Sequence, residues 1–355
     1  MGKNRFFALF AAVLITVLLL NNCGSKEKDS NLHDQSGKIY ITGAGATFPA
    51  PLYRKWIEEY KKIRQDVVVI YDAVGSGEGT RRFMAEDVDF GASDSAMKDE
   101  QIAQVSRGVQ LIPATAGSIV LAYNLPGIKT GLRLKRDVYT DIFSGKIGFW
   151  DDPRIKKENP GFDLPHLNIV TVVRSDSSGT TWAFTNHLST VSSEWRTQGP
   201  GTGKKIDFPG DAMFGRGNGG VATKVKYTWG SIGYMEYGYA KRAGLSMAVL
   251  ENKAGKFITP DDESATFTLA NTSKKMNENL RLFIPDPEGD SSYPIVTYTW
   301  LLCYRTYDNS EKAQELRKFI TWGLTNGQRL GPDFGYAPLP EEVVIPALNA
   351  VNNIK

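Results

Sequence analysis

Cysteine and histidine are scarce in this chain. Only two cysteines and three histidines occur among its 355 residues, and neither type has the spacing of a metal-binding motif. We therefore expect no metal site and no cofactor. Because Cys303 is the only other cysteine, we also expect no internal disulfide if Cys23 is modified, as argued below.

An excess of one charge sign is also lacking. The chain has 42 basic and 39 acidic residues, a formal net charge of +3. A nearly neutral protein offers no support for nucleic-acid binding or for a polybasic membrane surface.

Only one long hydrophobic run is present, residues 6–20, and it follows Lys3 and Arg5. This pattern is typical of a secretory signal and is short for a membrane span. We interpret residues 1–22 as a signal peptide and Cys23, in a loose lipobox, as the lipidated first residue of the mature protein. A plain signal peptide with an incidental cysteine is the alternative. Residues 23–37 then form the lipidated end and a flexible polar tether.

Strand-like and helical patterns alternate after the tether, which indicates an α/β fold with a mostly parallel sheet. The predicted strands are residues 38–42, 67–71, 88–92, 119–123 and 169–173. The predicted helices are residues 51–63, 80–86, 98–106 and 137–143, and one that follows Thr180. The mature length favours two domains.

Three turns rich in small and hydroxyl residues stand where a predicted strand leads into a helix. They are residues 46–49 (ATFP), 75–80 (GSGEGT) and 173–181 (VRSDSSGTT). Free N–H groups at helix starts, hydroxyl donors and the guanidinium of Arg174 are the groups that bind an anion. Ligands bind beyond the carboxyl ends of such strands. Asp94 directly follows another strand, so we expect it at the same edge, although a turn cap is its ordinary role.

These motifs together resemble the periplasmic phosphate-binding proteins of bacterial high-affinity phosphate ABC transporters. The resemblance rests on an ordered set that spans the mature chain: residues 43–51 (GAGATFPAP), 89–94 (DFGASD), Arg174 with Asp176 and 178–180 (SGT), 145–147 with 150–152, 217–218 (GN), 231–241 (SIGYMEYGYAK) and 336–340 (YAPLP).

The resemblance implies a set of phosphate contacts, with Asp176 holding Arg174 in place. The implied contact residues are Thr47, Phe48 through its backbone N–H, Ser76, Asp94, Arg174, Ser178, Gly179 and Thr180. Glu78 departs from the family pattern, and we expect its carboxylate to point to solvent. Ser177 replaces a residue that is often glycine.

The resemblance also implies a two-lobe periplasmic-binding-protein fold of the class II type, with mixed, mostly parallel sheets and hinge strands near Thr115 and Thr297. Lobe I is expected over residues 38–115 and 297–355, and lobe II over 116–296. The implied function is capture of inorganic phosphate in a closing cleft and delivery to the permease subunits of an ABC transporter. We expect a monomer in the periplasm or cell envelope that is anchored to a membrane. We do not expect the protein to be an enzyme.

Three alternatives remain open. The chain could bind another oxyanion, such as phosphite, a phosphonate or arsenate, or it could be an adhesin or sensor lipoprotein. A phosphohydrolase is disfavoured, because His33 lies in the tether, His166 in a loop, and His187 on a helix without a catalytic motif. We expect the aromatic residues Trp229, Tyr234, Tyr237, Tyr239 and Trp300 to pack in the core or at the hinge rather than to form a sugar platform.

Overall fold

The computed structural model describes residues 37–355, so Cys23 and the predicted signal peptide lie outside the described residues. The strands are β1 (Ile39–Gly45), β2 (Val67–Ala73), β3 (Phe90–Ser93), β4 (Val109–Asn124), β5 (Arg133–Leu134), β6 (Val170–Arg174), β7 (Met213–Gly215), β8 (Ser231–Glu236), β9 (Ser246–Met247), β10 (Val249–Glu251), β11 (Phe257–Ile258) and β12 (Val296–Tyr304). The helices are α1 (Ala50–Ile63), α2 (Ser76–Met84), α3 (Asp99–Ile102), α4 (Arg136–Phe143), α5 (Pro153–Glu158), α6 (Gly179–Val191), α7 (Ser193–Thr197), α8 (Gly217–Tyr227), α9 (Tyr237–Ala243), α10 (Asp262–Thr272), α11 (Ser310–Trp322) and α12 (Glu341–Val351).

One long strand, β4, joins two halves of a sheet with the order β2-β1-β3-β12-β4-β8-β6-β7. Residues 109–118 of β4 pair with β12, and residues 119–124 pair with β8. We call β2, β1, β3, β12 and the first part of β4 the first half-sheet. The second part of β4 with β8, β6, β7 and β9 is the second half-sheet. A separate small sheet consists of β11, β10 and β5.

The direction of pairing differs between the outer and the central strands. β1 pairs in parallel with β2 and β3, and β6 pairs in parallel with β7 and β8. The central strands β12 and β4 pair antiparallel with their neighbours. The mixed α/β sheet is confirmed. However, "mostly parallel" describes only its outer parts, because the central strands β12 and β4 run antiparallel to their neighbours.

The helix α1 illustrates how the sequence pattern produces the packing. Its residues Leu52, Trp56 and Tyr60 recur every four positions and are all buried, as an amphipathic helix requires. The Trp56 indole N–H donates to the Gly327 carbonyl oxygen at 3.0 Å, so this large core side chain is also satisfied in hydrogen bonding.

Some local expectations differ from the structure. The helix predicted over residues 98–106 is limited to the four residues of α3, and the strand predicted over 119–123 is the second part of the longer β4. Tyr234, Tyr237 and Trp300 are buried as expected, whereas Trp229 is 73% exposed. The Cys303 thiol is free and buried. Within residues 37–355, no helix has both the length and the apolar character needed to cross a membrane.

Candidate functional site

The three donor turns lie at the carboxyl ends of strands, as the sequence predicts. Thr47 lies between β1 and α1, Ser76 begins α2 after β2, and Gly179 begins α6 after β6. The first two turns belong to the first half-sheet and the third to the second half-sheet. The α2 and α6 turns meet where the Gly77 N–H donates to the Ser177 carbonyl oxygen at 2.8 Å.

Asp94 lies at the centre of these turns and is 1% exposed. Its Oδ1 accepts a hydrogen bond from the Thr299 hydroxyl at 2.9 Å, and its Oδ2 accepts one from the Thr180 hydroxyl at 3.3 Å. The Asp94 backbone N–H donates to Ser76 Oγ at 3.2 Å. Asp94 therefore links the α2 turn to the start of α6, and among residues 37–355 the hydrogen-bond donors to its carboxylate are hydroxyl groups.

The electrostatic setting of Asp94 places its titration close to neutrality. Burial raises the pKa of Asp94 from its ordinary 3.8 to about 7, while the two threonine hydroxyls and the charges of Arg174 and Lys204 oppose part of that rise. Lys204 is half-buried, and burial lowers the pKa of its ammonium group to about 8. Small changes in the surroundings can therefore move a proton on or off this site.

Arg174 is held by a carboxylate of its own turn. Its Nε and Nη2 donate to the two oxygens of Asp176 at 2.8 and 2.5 Å, and its Nη1 donates to Thr180 Oγ1 at 3.3 Å. The Gly217 N–H also donates to Asp176, at 2.9 Å. Burial acts to raise the pKa of Asp176, but the hydrogen bonds and charge of Arg174 hold it below its ordinary value. Asp176 thus pairs with Arg174 through both oxygens, and its supporting role at a ligand site stays a prediction.

Four buried residues of these turns have backbone N–H groups without a hydrogen-bond partner among residues 37–355. These groups belong to Phe48, Ser76, Gly179 and Thr180. The last three are orphan donors at helix starts, where intrahelical partners do not exist. Buried N–H groups are nearly always paired in folded proteins, so this cluster indicates a site for an acceptor-rich group.

Glycines allow the turns to approach so closely. A Cβ on Gly179 would lie 2.5 Å from Ser76 Oγ and 2.7 Å from Asp94 Cβ, which is closer than nonbonded atoms approach. Gly75 has a φ of +98°, and a Cβ there would lie 2.4 Å from Asp176 Oδ2. Both positions require glycine, one for space and the other also for its backbone conformation.

The two departures from the family pattern have local explanations. The Glu78 carboxylate accepts hydrogen bonds at 2.8 Å from both Arg81 and Arg82, and these bonds lower its pKa to about 2. A Cβ on Gly77 would lie only 2.0 Å from Ser177 Oγ. The serine on one turn is therefore accommodated by a glycine on the other.

Phe48 and Ser178 position the ends of their turns. The fully buried Phe48 accepts a hydrogen bond on its carbonyl oxygen from the Tyr336 hydroxyl at 2.5 Å. Ser178 is the N-cap of α6, with its Oγ accepting from the Thr181 N–H at 3.1 Å. Its own N–H donates to the Lys204 carbonyl oxygen at 2.8 Å, which orders the loop beside the site.

The sequence analysis missed three residues at the site: Thr299, Asn218 and Tyr239. Asn218 is fully buried and donates from Nδ2 to Thr47 Oγ1 at 2.9 Å. The Tyr239 hydroxyl donates to the Thr47 carbonyl oxygen at 2.7 Å. Asn218 and Tyr239 lie within motifs that were quoted for the family resemblance, residues 217–218 and 231–241. Thr299 lies in β12, where no local motif distinguishes it.

His187 is not placed to act on this site. It is fully buried in α6, and its Nδ1 lies 2.5 Å from the Pro285 carbonyl oxygen while its Nε2 lies 2.7 Å from the Tyr139 hydroxyl. Since a carbonyl oxygen can only accept, Nδ1 carries the proton and Nε2 accepts from the tyrosine. Burial lowers the pKa of His187 to about 4, so the ring is neutral at pH 7.

Comparisons with known proteins agree on one family. A family model for the PBP superfamily domain matches residues 32–326. The chain is 42% identical over 308 residues to the phosphate-binding protein PstS of Pasteurella multocida, covering 86% of this chain and 87% of the relative. It is 40% identical over 370 residues to the PstS of Methanocaldococcus jannaschii, covering 97% and 94%.

Solved structures share the fold. The structure of a phosphate-binding protein from Stenotrophomonas maltophilia matches with a TM-score of 0.68, covering 87% of this chain and 93% of that one. The sequence identity in that match is 19%, so the match shows a shared fold and nothing more. The fold that these chains share is that of two-lobe α/β binding proteins.

Proposed function

Because this chain belongs to the PBP superfamily and, within it, to the PstS phosphate-binding proteins, we propose that it binds inorganic phosphate and delivers it to an ABC transporter for import. The observation that carries the proposal is the set of four N–H groups, on buried residues of the donor turns, that have no hydrogen-bond partner in the described part of the chain. Phosphate presents only oxygen atoms, and replacing its hydration shell requires many fixed donors.

The proposed ligand contacts are those the sequence analysis named. They are the side chains or N–H groups of Thr47, Phe48, Ser76, Asp94, Arg174, Ser178, Gly179 and Thr180. The guanidinium of Arg174 presents a planar fork that suits two phosphate oxygens. Because Asp176 balances its charge, the site would bind through hydrogen bonds and helix-start dipoles more than through net charge.

Asp94 would provide the selection for phosphate. Phosphate near neutral pH carries at least one proton that it can donate to this carboxylate, whereas sulfate carries none and would place lone pair against lone pair. This selection requires the ionised carboxylate, which predominates above the pKa of about 7 to which burial raises Asp94. A dianion meeting a protonated Asp94 and a monoanion meeting an ionised one lead to the same complex, so binding should tolerate both ligand forms.

The lobes would close around the ligand by a hinge in the central strands. We propose lobe I as residues 38–115 with 297–355 and lobe II as 116–296. The change of partner along β4 at Ser118 and Ile119 supports a boundary within this strand, three residues beyond the proposed one. The contacts that cross between them, Gly77 to Ser177 and Tyr239 to Thr47, fit a closed state.

We further propose a monomer in the periplasm or cell envelope, anchored to a membrane by a lipid on Cys23, that presents phosphate to permease subunits. No chemical conversion of the ligand belongs to this proposal, since His187 is buried and engaged by Tyr139 and Pro285. Incubation with phosphate esters should therefore release no phosphate.

Isothermal titration of the purified, ligand-stripped protein tests the proposal. One-to-one, submillimolar binding of phosphate with no signal from sulfate is expected at equal ionic strength. Parallel titrations with arsenate, phosphite and a phosphonate examine other oxyanions. Absence of phosphate binding, or tighter binding of one of those ions, would overturn the assignment of the ligand.

A further inference from the structure

Asn218 lies between the two half-sheets but is not among the residues proposed to contact the ligand. It is fully buried in the first turn of α8, on the second half-sheet side. Its amide group lies within hydrogen-bonding distance of two threonines that come from opposite sides of the site, Thr47 and Thr180.

The orientation of the Asn218 amide is determined by its surroundings. The Glu236 backbone N–H donates to Asn218 Oδ1 at 3.0 Å, and an N–H group can pair only with the oxygen end of the amide. The Nδ2 group must therefore face the threonines, at 2.9 Å from Thr47 Oγ1 and 3.4 Å from Thr180 Oγ1.

Counting donors and acceptors at the Thr47 hydroxyl gives a definite polarity. A hydroxyl has one proton to donate and two lone pairs to accept with. Thr47 Oγ1 receives the Asn218 backbone N–H at 3.2 Å and the Asn218 Nδ2 at 2.9 Å, so both lone pairs are engaged. The hydroxyl proton is the only hydrogen-bonding capacity that Thr47 Oγ1 retains.

A similar constraint applies to Thr180. Its Oγ1 receives Arg174 Nη1 at 3.3 Å and Asn218 Nδ2 at 3.4 Å, and its proton faces Asp94 Oδ2 at 3.3 Å. These bonds are longer, so the constraint on Thr180 is weaker than that on Thr47.

We propose that Asn218 is a positioning residue that turns the Thr47 hydroxyl into an obligatory donor toward the ligand when the lobes are closed. This inference rests on the proposed function of the site. With Thr47 unable to accept, Asp94 is left as the acceptor for the protonated oxygen of phosphate, which orients the ligand. Because Asn218 and Thr47 come from different half-sheets, this polarity exists only after closure.

A double-mutant cycle on phosphate affinity tests the inference in the full protein. We expect Asn218→Ala to weaken phosphate binding by about tenfold or more. The Thr47 hydroxyl would no longer be oriented toward the ligand, and the hydrogen bond between Asn218 and Thr47 that stabilises the closed form would be lost. In a Thr47→Val background the same change should cost less than about threefold, since no hydroxyl remains to be oriented. In a Thr47→Ser background, which restores the hydroxyl, the large cost should return.

Asn252→Ala is the matched control. Asn252 is also fully buried, but its amide donates to the carbonyl oxygens of Gly289, Asp290 and Ser292, away from the site. This variant should lose thermal stability while its phosphate affinity stays within about twofold of the parent. It separates loss of a buried amide in general from loss of this particular amide.

The outcomes are distinguishable. If the parent binds phosphate but the effects of Asn218→Ala and Thr47→Val add independently, Asn218 is merely structural and the inference is wrong. If the parent does not bind phosphate, the proposed function itself fails. Should Asn218→Ala not fold, Asn218→Ser is used in the same cycle with the same criterion for coupling.

Discussion

Two buried carboxylates, Asp94 and Glu236, are alike in burial and differ in what surrounds them. Burial raises the pKa of both, Asp94 to about 7 and Glu236 to about 8. Glu236 caps the start of α9, accepting from the N–H groups of Gly238 at 2.6 Å and Tyr239 at 3.2 Å. Asp94 instead meets the side-chain hydroxyls of Thr299 and Thr180.

The difference in partners separates a carboxylate that caps a helix from the one that we propose acts on the ligand. Backbone N–H groups cannot turn away, so both carboxylate oxygens of Glu236 are held by the start of α9. Hydroxyl groups rotate and can exchange partners, so Asp94 can accept a proton from a ligand. A raised pKa alone would not have distinguished the two residues; their partners do.

The largest expected effect comes from removing the acceptor of Asp94. Asp94→Asn replaces one carboxylate oxygen with an N–H donor, which relieves the repulsion of sulfate. We expect the ratio of sulfate to phosphate affinity to rise by about thirtyfold or more, from a repulsion of about 2 kcal/mol or above. Competition titration measures this ratio.

Glu236→Gln is the control for this measurement and should leave the ratio unchanged. An unchanged ratio in Asp94→Asn as well would refute the role of Asp94 in selection.

The second prediction concerns Arg174, whose charge acts on Asp94, and uses Arg242, beside Glu236, for comparison. Arg174→Ala should weaken phosphate binding by at least about tenfold, because a buried charged donor to the anion is lost. Arg242 lies 4.0 Å from Glu236, and Arg242→Ala should change phosphate affinity by less than about threefold. Titration calorimetry compares the two variants. A loss smaller than tenfold for Arg174→Ala would mean that Arg174 acts only through Asp176 as a structural ion pair.

The raised pKa values also predict a pH-dependent effect on the stability of the closed, phosphate-free protein. Between the ordinary pKa of 3.8 and about 7, folded Asp94 retains a proton that the unfolded chain releases. Its stabilising contribution is therefore complete at low pH and declines as the pH rises through about 7. Relative to Asp94→Asn, the free energy of unfolding should fall with a slope approaching about 1.4 kcal/mol per pH unit between about pH 5 and pH 7.

Urea unfolding at several pH values measures this slope. The same comparison for Glu236→Gln should continue to a higher pH, since burial raises the pKa of Glu236 to about 8. Parallel curves for the parent and both variants would contradict the linkage.

The smallest effect is expected at Glu78, whose carboxylate is paired with Arg81 and Arg82. Glu78→Gln should change phosphate affinity by less than about twofold, because exposed charges are screened. Direct titration at low and moderate salt checks this expectation. A clear gain in phosphate affinity on removing this charge would contradict the prediction. It would show that the Glu78 carboxylate repels the ligand.

The sequence predicted much of the fold and much of the candidate site. Short motifs reveal helix-start donor turns because the glycines and hydroxyls that form them are adjacent in the chain, as at residues 75–80 and 178–180. The antiparallel central strands were not predicted, because the pairing of β4 with both β12 and β8 joins segments far apart in sequence. The exposure of Trp229 was missed for the same reason, since periodicity does not say which face a neighbour covers.

The chain by itself determined which donors the site would have, because Thr47, Ser76, Arg174 and the residues after Ser178 belong to local motifs. Only the tertiary structure decided how those groups are polarised. Thr299 reaches Asp94 across 205 positions, and Asn218 reaches Thr47 across 171. A hydroxyl donates or accepts according to the partners that surround it in space, and those partners come together only when the two half-sheets meet.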